Sequence, residues 1–545
     1  MSGGTARGDI APMLESASLS GRSGEQLPQS AAILAASRSE PYWAIVDIGS
    51  NSVRLVVYSG LKRVPETVFN EKILCGLGGA VGTTGRMDDR AIASAISTLK
   101  RYRALCDQMD VHKIDAVATA AVRDAENGAE FCALVERECG ITVRVISGPE
   151  EGRYSALGVL SGEPRARGIV GDLGGGSLEL ARVRKGGVDG TVSLPIGPFR
   201  LMSRFGDDHK AMRAFLKETF ADIPFMDQAR GEDLYMVGGA WRNIMKILMW
   251  QQASALPILH GARMKAKPLA SYAKRLSKTA PTDLPYGGWL SSRRREVIPV
   301  AALILRELLK AMKAKRGVVS SYGLREGLIF DELDQDSAAQ DPFLYSCRLL
   351  AAERCRFSEH AGVIYDWTRP LFDHGAATGS RTRHRLHMAV ALLSDIAWRG
   401  HPDFRAEKAV EAVLHGNFVG IGHMERAFLA VALNQAYGAP LDAEPVARVL
   451  TLLTVNEMLE ARLMGAALRL AQRLSGGAAE ALLMTRLHLS PDTLHLDVSA
   501  ESGDLVNEVV EKRLRHLGQI IARQTDVRLV PLADIQAGHA ARKDD

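Results

Sequence analysis

The sequence predicts a mixed α/β protein built as two similar lobes facing across a cleft, followed by a helical region and a small α/β cap. Three observations lead there. Asp47-Ile48-Gly49-Ser50-Asn51-Ser52-Val53-Arg54-Leu55 and Asp172-Leu173-Gly174-Gly175-Gly176-Ser177-Leu178-Glu179-Leu180 repeat Asp, Gly, Ser and Leu in register, 125 positions apart. From residue 42 to about 335, strand-like apolar runs alternate with helical periodicity, a pattern that places ligands at the loops following strands. Beyond about residue 336 the pattern turns almost wholly helical.

Taken in order, residues 1–40 are rich in Ser, Gly and Ala and read as a disordered tail. A first lobe spans 41–165. Tyr42 to Val46 and Val53 to Tyr58 read as strands around the first turn. Asp88 to Met109 reads as a helix, with Ile92, Ala95, Ile96, Leu99 and Tyr102 on one face. Ala116 to Thr119 and Ile141 to Ile146 are further short strands. A second lobe spans 166–335. Gly168 to Val170 enters the second turn. Leu234 to Val237 runs into Gly238-Gly239 and a helix from Trp241 to Met249. Val318 to Ser321 runs into Gly323 and a helix beginning near Leu324. Asp331 to Asp341, acidic and polar, is the expected linker. A helical domain over 336–472 includes Met388 to Trp398 and Arg426 to Ala436. In 473–545, strands Arg486 to Leu489 and Thr493 to Val498 precede an amphipathic helix, Leu505 to Arg523, and a last strand, Val527 to Val530.

The composition sets bounds on function. A chain of 545 residues holds three to four domains at ~100–200 residues each. Hydrophobic content of 46% and charged content of 24% are ordinary for globular proteins. A net charge of +5 allows an anionic ligand without calling for nucleic acid. None of the six cysteines forms a Cys-x-x-Cys pair, which argues against a zinc ribbon and for reduced thiols. No apolar run approaches the ~18 residues that span a bilayer. The patch Ala31 to Ala36 is too short for a signal peptide. A cytoplasmic location is therefore expected.

The two turns carry the chemical argument. Small residues let a phosphate lie against backbone amides. Two copies imply facing lobes with a phosphate chain between them. Asp47 and Asp172 are hard-oxygen donors suited to a hydrated divalent cation beside phosphate. Ser50, Asn51, Ser52 and Ser177 can donate to phosphoryl oxygens, as can the amides of Gly174, Gly175 and Gly176. In Ser147-Gly148-Pro149-Glu150-Glu151, Ser147 and Glu150 fit a capping box, with Pro149 in the first turn. Glu150 is thereby explained by structure. Glu151 is not, and reads either as an acid favoured by the helix dipole or as a base that orders a water. Arg123, after a strand end, is either a surface arginine or a partner for phosphate charge.

Together these segments resemble the exopolyphosphatase and guanosine pentaphosphate phosphohydrolase family, within the superfamily of actin, sugar kinases and the heat-shock chaperone ATPase domain. The pieces are AIVDIGSNSVRLVV, ATAAVRDAENGAEF, VISGPEEGR, IVGDLGGGSLEL, MVGGAWRN and SSYGLREGLI, in the family's order across 42–335. The resemblance implies two actin/ribonuclease-H-like lobes with an interlobe cleft, a helical HD-like domain and a small α/β C-terminal domain. It assigns Glu151 to the catalytic glutamate and Asp172 to the acid tied to Mg²⁺, with Mn²⁺ as a substitute. Asp47 becomes the partner of Asp172. Gly174, Gly175, Gly176 and Ser177 become the phosphate loop, and Arg123 an arginine near the scissile phosphate. Asn51, Ser52 and Glu179 become cleft-lining residues. The implied activity is release of orthophosphate from the end of inorganic polyphosphate. The alternatives are hydrolysis of guanosine pentaphosphate and a non-hydrolytic sensor of polyphosphate or of guanosine penta- or tetraphosphate. A homodimer is expected; a membrane or nucleic-acid partner is not.

The chain departs from that family at Leu392-Leu393-Ser394-Asp395-Ile396-Ala397, where Ser394 stands in place of the histidine an HD metal site needs. Seven histidines fall in this region: His360, His374, His384, His387, His401, His415 and His423. Their spacing lacks an acidic partner, so the expectation is a helical domain that kept its packing without the metal. Trp241 either crowds a nucleoside out of the cleft or packs its helix on the sheet. Arg293 to Arg295, Lys310 to Lys315 and Arg381 to Arg385 are each either a solvated face or part of a basic track for a polyanion.

Overall fold

A computed structural model describes residues 40–372 and 381–540. The expected tail and His374 lie outside the described residues. Strands β1 (Tyr42–Ile48), β2 (Ser52–Tyr58), β3 (Thr67–Leu74), β4 (Val111–Ala118) and β5 (Val143–Val145) form the first sheet in the order β3-β2-β1-β4-β5. β1, β2 and β3 pair antiparallel, whereas β1, β4 and β5 run parallel. The second sheet contains β6 (Gly168–Leu173), β7 (Leu178–Arg184), β8 (Gly187–Leu194), β9 (Asp233–Val237), β10 (Arg263–Lys265) and β11 (Arg316–Val319). Its order is β10-β11-β9-β6-β7-β8. Apart from the short edge strand β10, it repeats the first: a meander of three strands, then two parallel strands added at the other side. The two lobes are therefore one topology used twice, the actin/ribonuclease-H-like arrangement.

Each sheet is covered by helices the sequence signals. Asp88 caps the helix Asp89–Gln108 by accepting from the amides of Arg90 and Ala91, and its buried face carries Ala95, Leu99 and Tyr102. In the second lobe Trp241 is fully buried and its indole N–H donates to the Ala301 carbonyl at 3.1 Å. A Cβ on Gly171 would meet the Trp241 ring at 2.9 Å. Trp241 thus packs the helix Gly239–Gln251 on the sheet, and the reading in which it crowds out a nucleoside is withdrawn.

Two helices cross between the lobes. Gly148–Gly162 leaves the first lobe and packs on β6, β7 and β8. Leu324–Asp331 leaves the second and sets Leu328 and Ile329 against Ile45, Val56, Tyr58 and Val117 of the first sheet.

One sequence expectation needs correction here. The stretch Met388 to Trp398 is not one helix. The helix Arg381–Leu392 ends there, and the chain turns because Arg356 holds Asp395 at 2.7 Å and the Arg354 carbonyl accepts from the Trp398 indole. The expected linker contains a short helix, Gln335–Ala339, capped by Asp334. Its end is pinned by Arg63, which donates to the carbonyls of Gln340 and Ser161, and by Arg385, which donates to Asp341 at 2.9 Å.

Beyond it, the helices and a third sheet, β12 (Thr485–Leu489), β13 (Thr493–Ser499) and β14 (Gln524–Val530), share one apolar core. No described helix is long and apolar enough to cross a membrane.

Candidate active site

The repeated turns fold alike because they close with the same hydrogen bonds. The amide of Gly49 donates to the Ser52 carbonyl at 3.0 Å, and that of Gly174 to the Ser177 carbonyl at 3.1 Å. Each turn is also held from behind. Gly78 and Gly76 donate to the carbonyls of Ser50 and Asn51, and Phe199 and Gly197 to those of Gly175 and Gly176. In a trans peptide the following N–H points opposite to the carbonyl. The amides of Asn51, Ser52, Gly176 and Ser177 are therefore turned away from those backing segments. This corrects one expectation: the Gly174 amide closes its own turn and is not a free donor.

Both turns line one cleft of about 320 Å³. It also contains Asp47, Ser50, Asn51, Ser52, Glu151, Asp172, Gly174, Gly175, Gly176 and Ser177. Two other expected site residues are not part of that lining. Glu179 is buried at 1% exposure and accepts from the Ser193 hydroxyl at 2.9 Å. Arg123 donates to the Ile146 carbonyl at 3.0 Å and stands 3.7 Å from Glu151. The helices Gly239–Gln251 and Leu324–Asp331 begin at the cleft, and Glu151 sits in the first turn of Gly148–Gly162. Three helix N-termini thus direct positive dipole ends at the same space.

The acids repel one another. Burial pushes Glu151 well above the usual carboxylate range, Glu179 and Asp172 add to the rise, and Arg123 opposes it. Burial likewise pushes Glu179 up to about 7, against the Ser177 hydroxyl and with Asp172. Asp172 is raised by burial, opposed by the Ser155 hydroxyl that donates to it and by Arg242. Oε2 of Glu151, Oε2 of Glu179 and Oδ1 of Asn51 are buried without a hydrogen-bond partner. A set of hard-oxygen acceptors left unpaired in this way fits a divalent cation. No three acidic, histidine or cysteine side chains among the described residues converge tightly enough to chelate one. The fit is therefore to an ion that keeps most of its own waters, beside a cleft whose lining includes the carboxylates of Asp47, Glu151 and Asp172.

The raised acids make stability depend on pH. Between the ordinary glutamate value and about 7 the folded protein holds protons that the unfolded chain has released, so stability falls as pH rises through that window. Glu179 alone accounts for about 3 kcal/mol of this change across the window. Urea midpoints at pH 5 and pH 8 should differ in that direction, and Glu179→Gln should flatten the difference.

Four cations were not anticipated as site residues: Arg54, Lys72, Arg242 and Arg325 line the cleft with Arg293 and Arg294. Register explains two of them. Asp47, Arg54 and Lys72 are neighbours across β1, β2 and β3, and Asp172, Glu179 and Ser193 are neighbours across β6, β7 and β8. Both lobes keep the aspartate, but the next position is basic in one lobe and acidic in the other, and Lys72 is matched by the neutral Ser193. The sequence signal was present in the repeat itself, where Arg54 stands opposite Glu179.

The remaining basic clusters lie elsewhere. Lys310 to Lys315 occupy the far end of the helix Ser292–Ala311 and the turn beyond it. Arg383 pairs with Glu460, and Arg385 with Asp341. The histidines of the helical region serve separate contacts: His384 with Tyr365, His387 with Glu460, His423 with the Ile258 carbonyl, and His360 accepting from the Ala479 amide. His401 faces Asp403. A larger cavity of about 1390 Å³, lined by His415, Lys62, Glu66, Glu353 and Lys408, separates the first lobe from the helices. Its charge is mixed and neither turn reaches it.

Comparison with known proteins gives two family matches. Residues 56–336 match the Ppx/GppA phosphatase family, and residues 343–528 match the exopolyphosphatase C-terminal family. Retrograde regulation protein 2 of Saccharomyces cerevisiae is 26% identical over 428 residues, 72% of either chain. Exopolyphosphatase 1 of Mycobacterium tuberculosis is 26% identical over 313 residues, 54% of this chain and 88% of that one. Among solved structures, a Ppx/GppA family member from Aquifex aeolicus is 28% identical with a TM-score of 0.46, covering 53% of this chain and 97% of that one.

Proposed function

Because the chain belongs to the Ppx/GppA phosphatase family, we propose that it is an exopolyphosphatase, releasing orthophosphate from the end of inorganic polyphosphate by in-line attack of water. One observation carries the reading. Two turns with the same hydrogen-bond pattern open on one cleft, with Glu151 at its floor and six cationic side chains along its lining. A polyphosphate carries about one charge per unit, and a row of cations suits a row of such charges.

Glu151 accepts the proton of the attacking water. Its burial and acidic neighbours raise its affinity for that proton. Arg123 stands beside it and offsets charge on the phosphoryl group, together with the amides of the two turns. Asp47 and Asp172 would hold Mg²⁺ through its waters, with Mn²⁺ as substitute. When bound, the ion supplies positive charge beside the leaving phosphate. Ser50, Asn51, Ser52 and Ser177 orient the chain.

All six cysteines are free, which supports a reducing, cytoplasmic setting. A homodimer is the expected assembly and is checked by light scattering.

The alternative substrate is guanosine pentaphosphate, whose phosphates the same turns would grip. The yeast relative's name concerns regulation, which keeps a sensor as the third reading. Rates of phosphate release from long polyphosphate, pentaphosphate nucleotide and ATP separate these. The expected result is the highest kcat/KM with polyphosphate and a steep fall as salt rises. A nucleotide preferred over polyphosphate sinks the proposal, and binding without release from any of the three favours the sensor.

A further inference from the structure

The two crossing helices touch through their backbones. A Cβ on Gly327 would lie 1.8 Å from the Tyr154 carbonyl oxygen, and one on Gly158 would lie 2.1 Å from that of Gly323. A joint so closely packed has little room to slide. In the first turn of the second helix sits Glu326, a buried carboxylate with 8% exposure. Both of its oxygens are occupied. Oε1 accepts from the Tyr58 hydroxyl on β2 at 3.0 Å, and Oε2 accepts from the Gly323 amide at 2.9 Å. Tyr58 belongs to the first lobe, and Gly323 follows the last strand of the second.

Arg325 precedes this carboxylate directly and lines the cleft. Among the described residues its guanidinium has no hydrogen bond or ion pair; the charge that acts on it most is its neighbour Glu326, followed by Asp47 and, more weakly, Asp172 across the cleft. A buried carboxylate released from its donors would turn to the nearest cation, since an unpaired charge in the interior is costly. For Glu326 the cation at hand is Arg325, on which it is already the strongest charge, although adjacent helical side chains meet only when one of them swings from its place.

We propose that Tyr58 and Glu326 are positioning residues for Arg325: the first-lobe hydroxyl keeps the Glu326 carboxylate engaged, and so leaves the Arg325 guanidinium to the phosphate chain. The tie runs from one lobe to the other. Presentation of the cation therefore depends on the lobes being together. The inference rests on the reading of the cleft as a polyphosphate site.

The test uses the full chain carrying Glu151→Gln, so that binding is read without turnover, with inorganic triphosphate as the probe in calorimetry. Tyr58→Phe should weaken binding about tenfold, and Arg325→Met at least as much. In the Arg325→Met chain, Tyr58→Phe should add less than twofold, because both changes act on one contact. Glu326→Asp, whose carboxylate is one methylene too short to reach the Tyr58 hydroxyl, should give the same cycle and serves if Tyr58→Phe does not fold. Glu326→Gln, which removes the competing charge, should make Tyr58→Phe nearly silent. A purely structural role would lower Tm and add independently of Arg325. Equal losses with and without Arg325, or no loss in either, overturn the proposal. If the Glu151→Gln parent fails to bind triphosphate, the reading of the cleft falls and this inference with it; if the parent binds and the cycle is additive, only this inference falls.

Discussion

Glu151→Gln is expected to lower kcat by about a thousandfold, the range over which a positioned general base acts, while polyphosphate binds as tightly as before or more tightly. The side chain keeps its shape, so the capping box of Ser147 and Glu150 and the packing of the crossing helix are untouched. What disappears is one of several carboxylates crowded at the cleft floor. Glu179, Asp172 and Asp47 all push Glu151 toward its protonated form, and its Oε2 has no hydrogen-bond donor. Removing that charge relieves repulsion within the protein and toward the polyanion. The variant should therefore gain thermal stability at pH 8 as it loses turnover. Single-turnover phosphate release beside a melting curve checks both halves. Near-normal release from the amide variant would remove Glu151 from the role of base.

Arg123→Ala is expected to lower kcat/KM by roughly a thousandfold, as loss of an arginine that stabilises phosphoryl-transfer charge does. Two effects add. The guanidinium is lost from beside the reacting phosphate. Glu151 also loses a cation that opposes its protonation, 3.7 Å away. The acidic limb of the rate profile, where Glu151 loses its proton to become the base, should accordingly move to higher pH. A lysine at this position restores charge without the planar fork that reaches the Ile146 carbonyl, and should recover only part of the rate. A pH–rate profile for wild type, Arg123→Ala and Arg123→Lys separates the two effects. An unshifted profile would show that Arg123 does not act on Glu151.

The parts of the fold legible in the sequence were those that local chemistry specifies. Asp88 signals a helix start because its side chain takes two amides of the following turn. Ser147 and Glu150 signal another by closing a capping box, and the apolar runs of β1 and β6 mark buried strands. β3 went unseen because it has no buried run: Thr67 and Val68 are exposed, and from there half-buried and exposed residues alternate. It supplies Lys72, so the cleft lost a cation in the sequence reading along with the strand. The stretch Met388 to Trp398 has helical periodicity, yet Arg356 and the Arg354 carbonyl draw Asp395 and Trp398 out of the helix. Those partners lie some forty residues away and leave no local signal.

The sequence alone determined that two small-residue turns of the same kind exist, each opened by an aspartate, with a glutamate at a helix start between them. Each depends on residues close together in the chain, where glycine, capping and strand periodicity act. The tertiary structure decided what those turns face. It placed Arg54 and Lys72 beside Asp47 but Glu179 and Ser193 beside Asp172, through the registers of two separate sheets. It drew Arg242 and Arg325 into the same cleft and buried Trp241 away from it. Electrostatic interactions act through space, so the charge that meets a phosphate is set by strand register and lobe contact rather than by position along the chain.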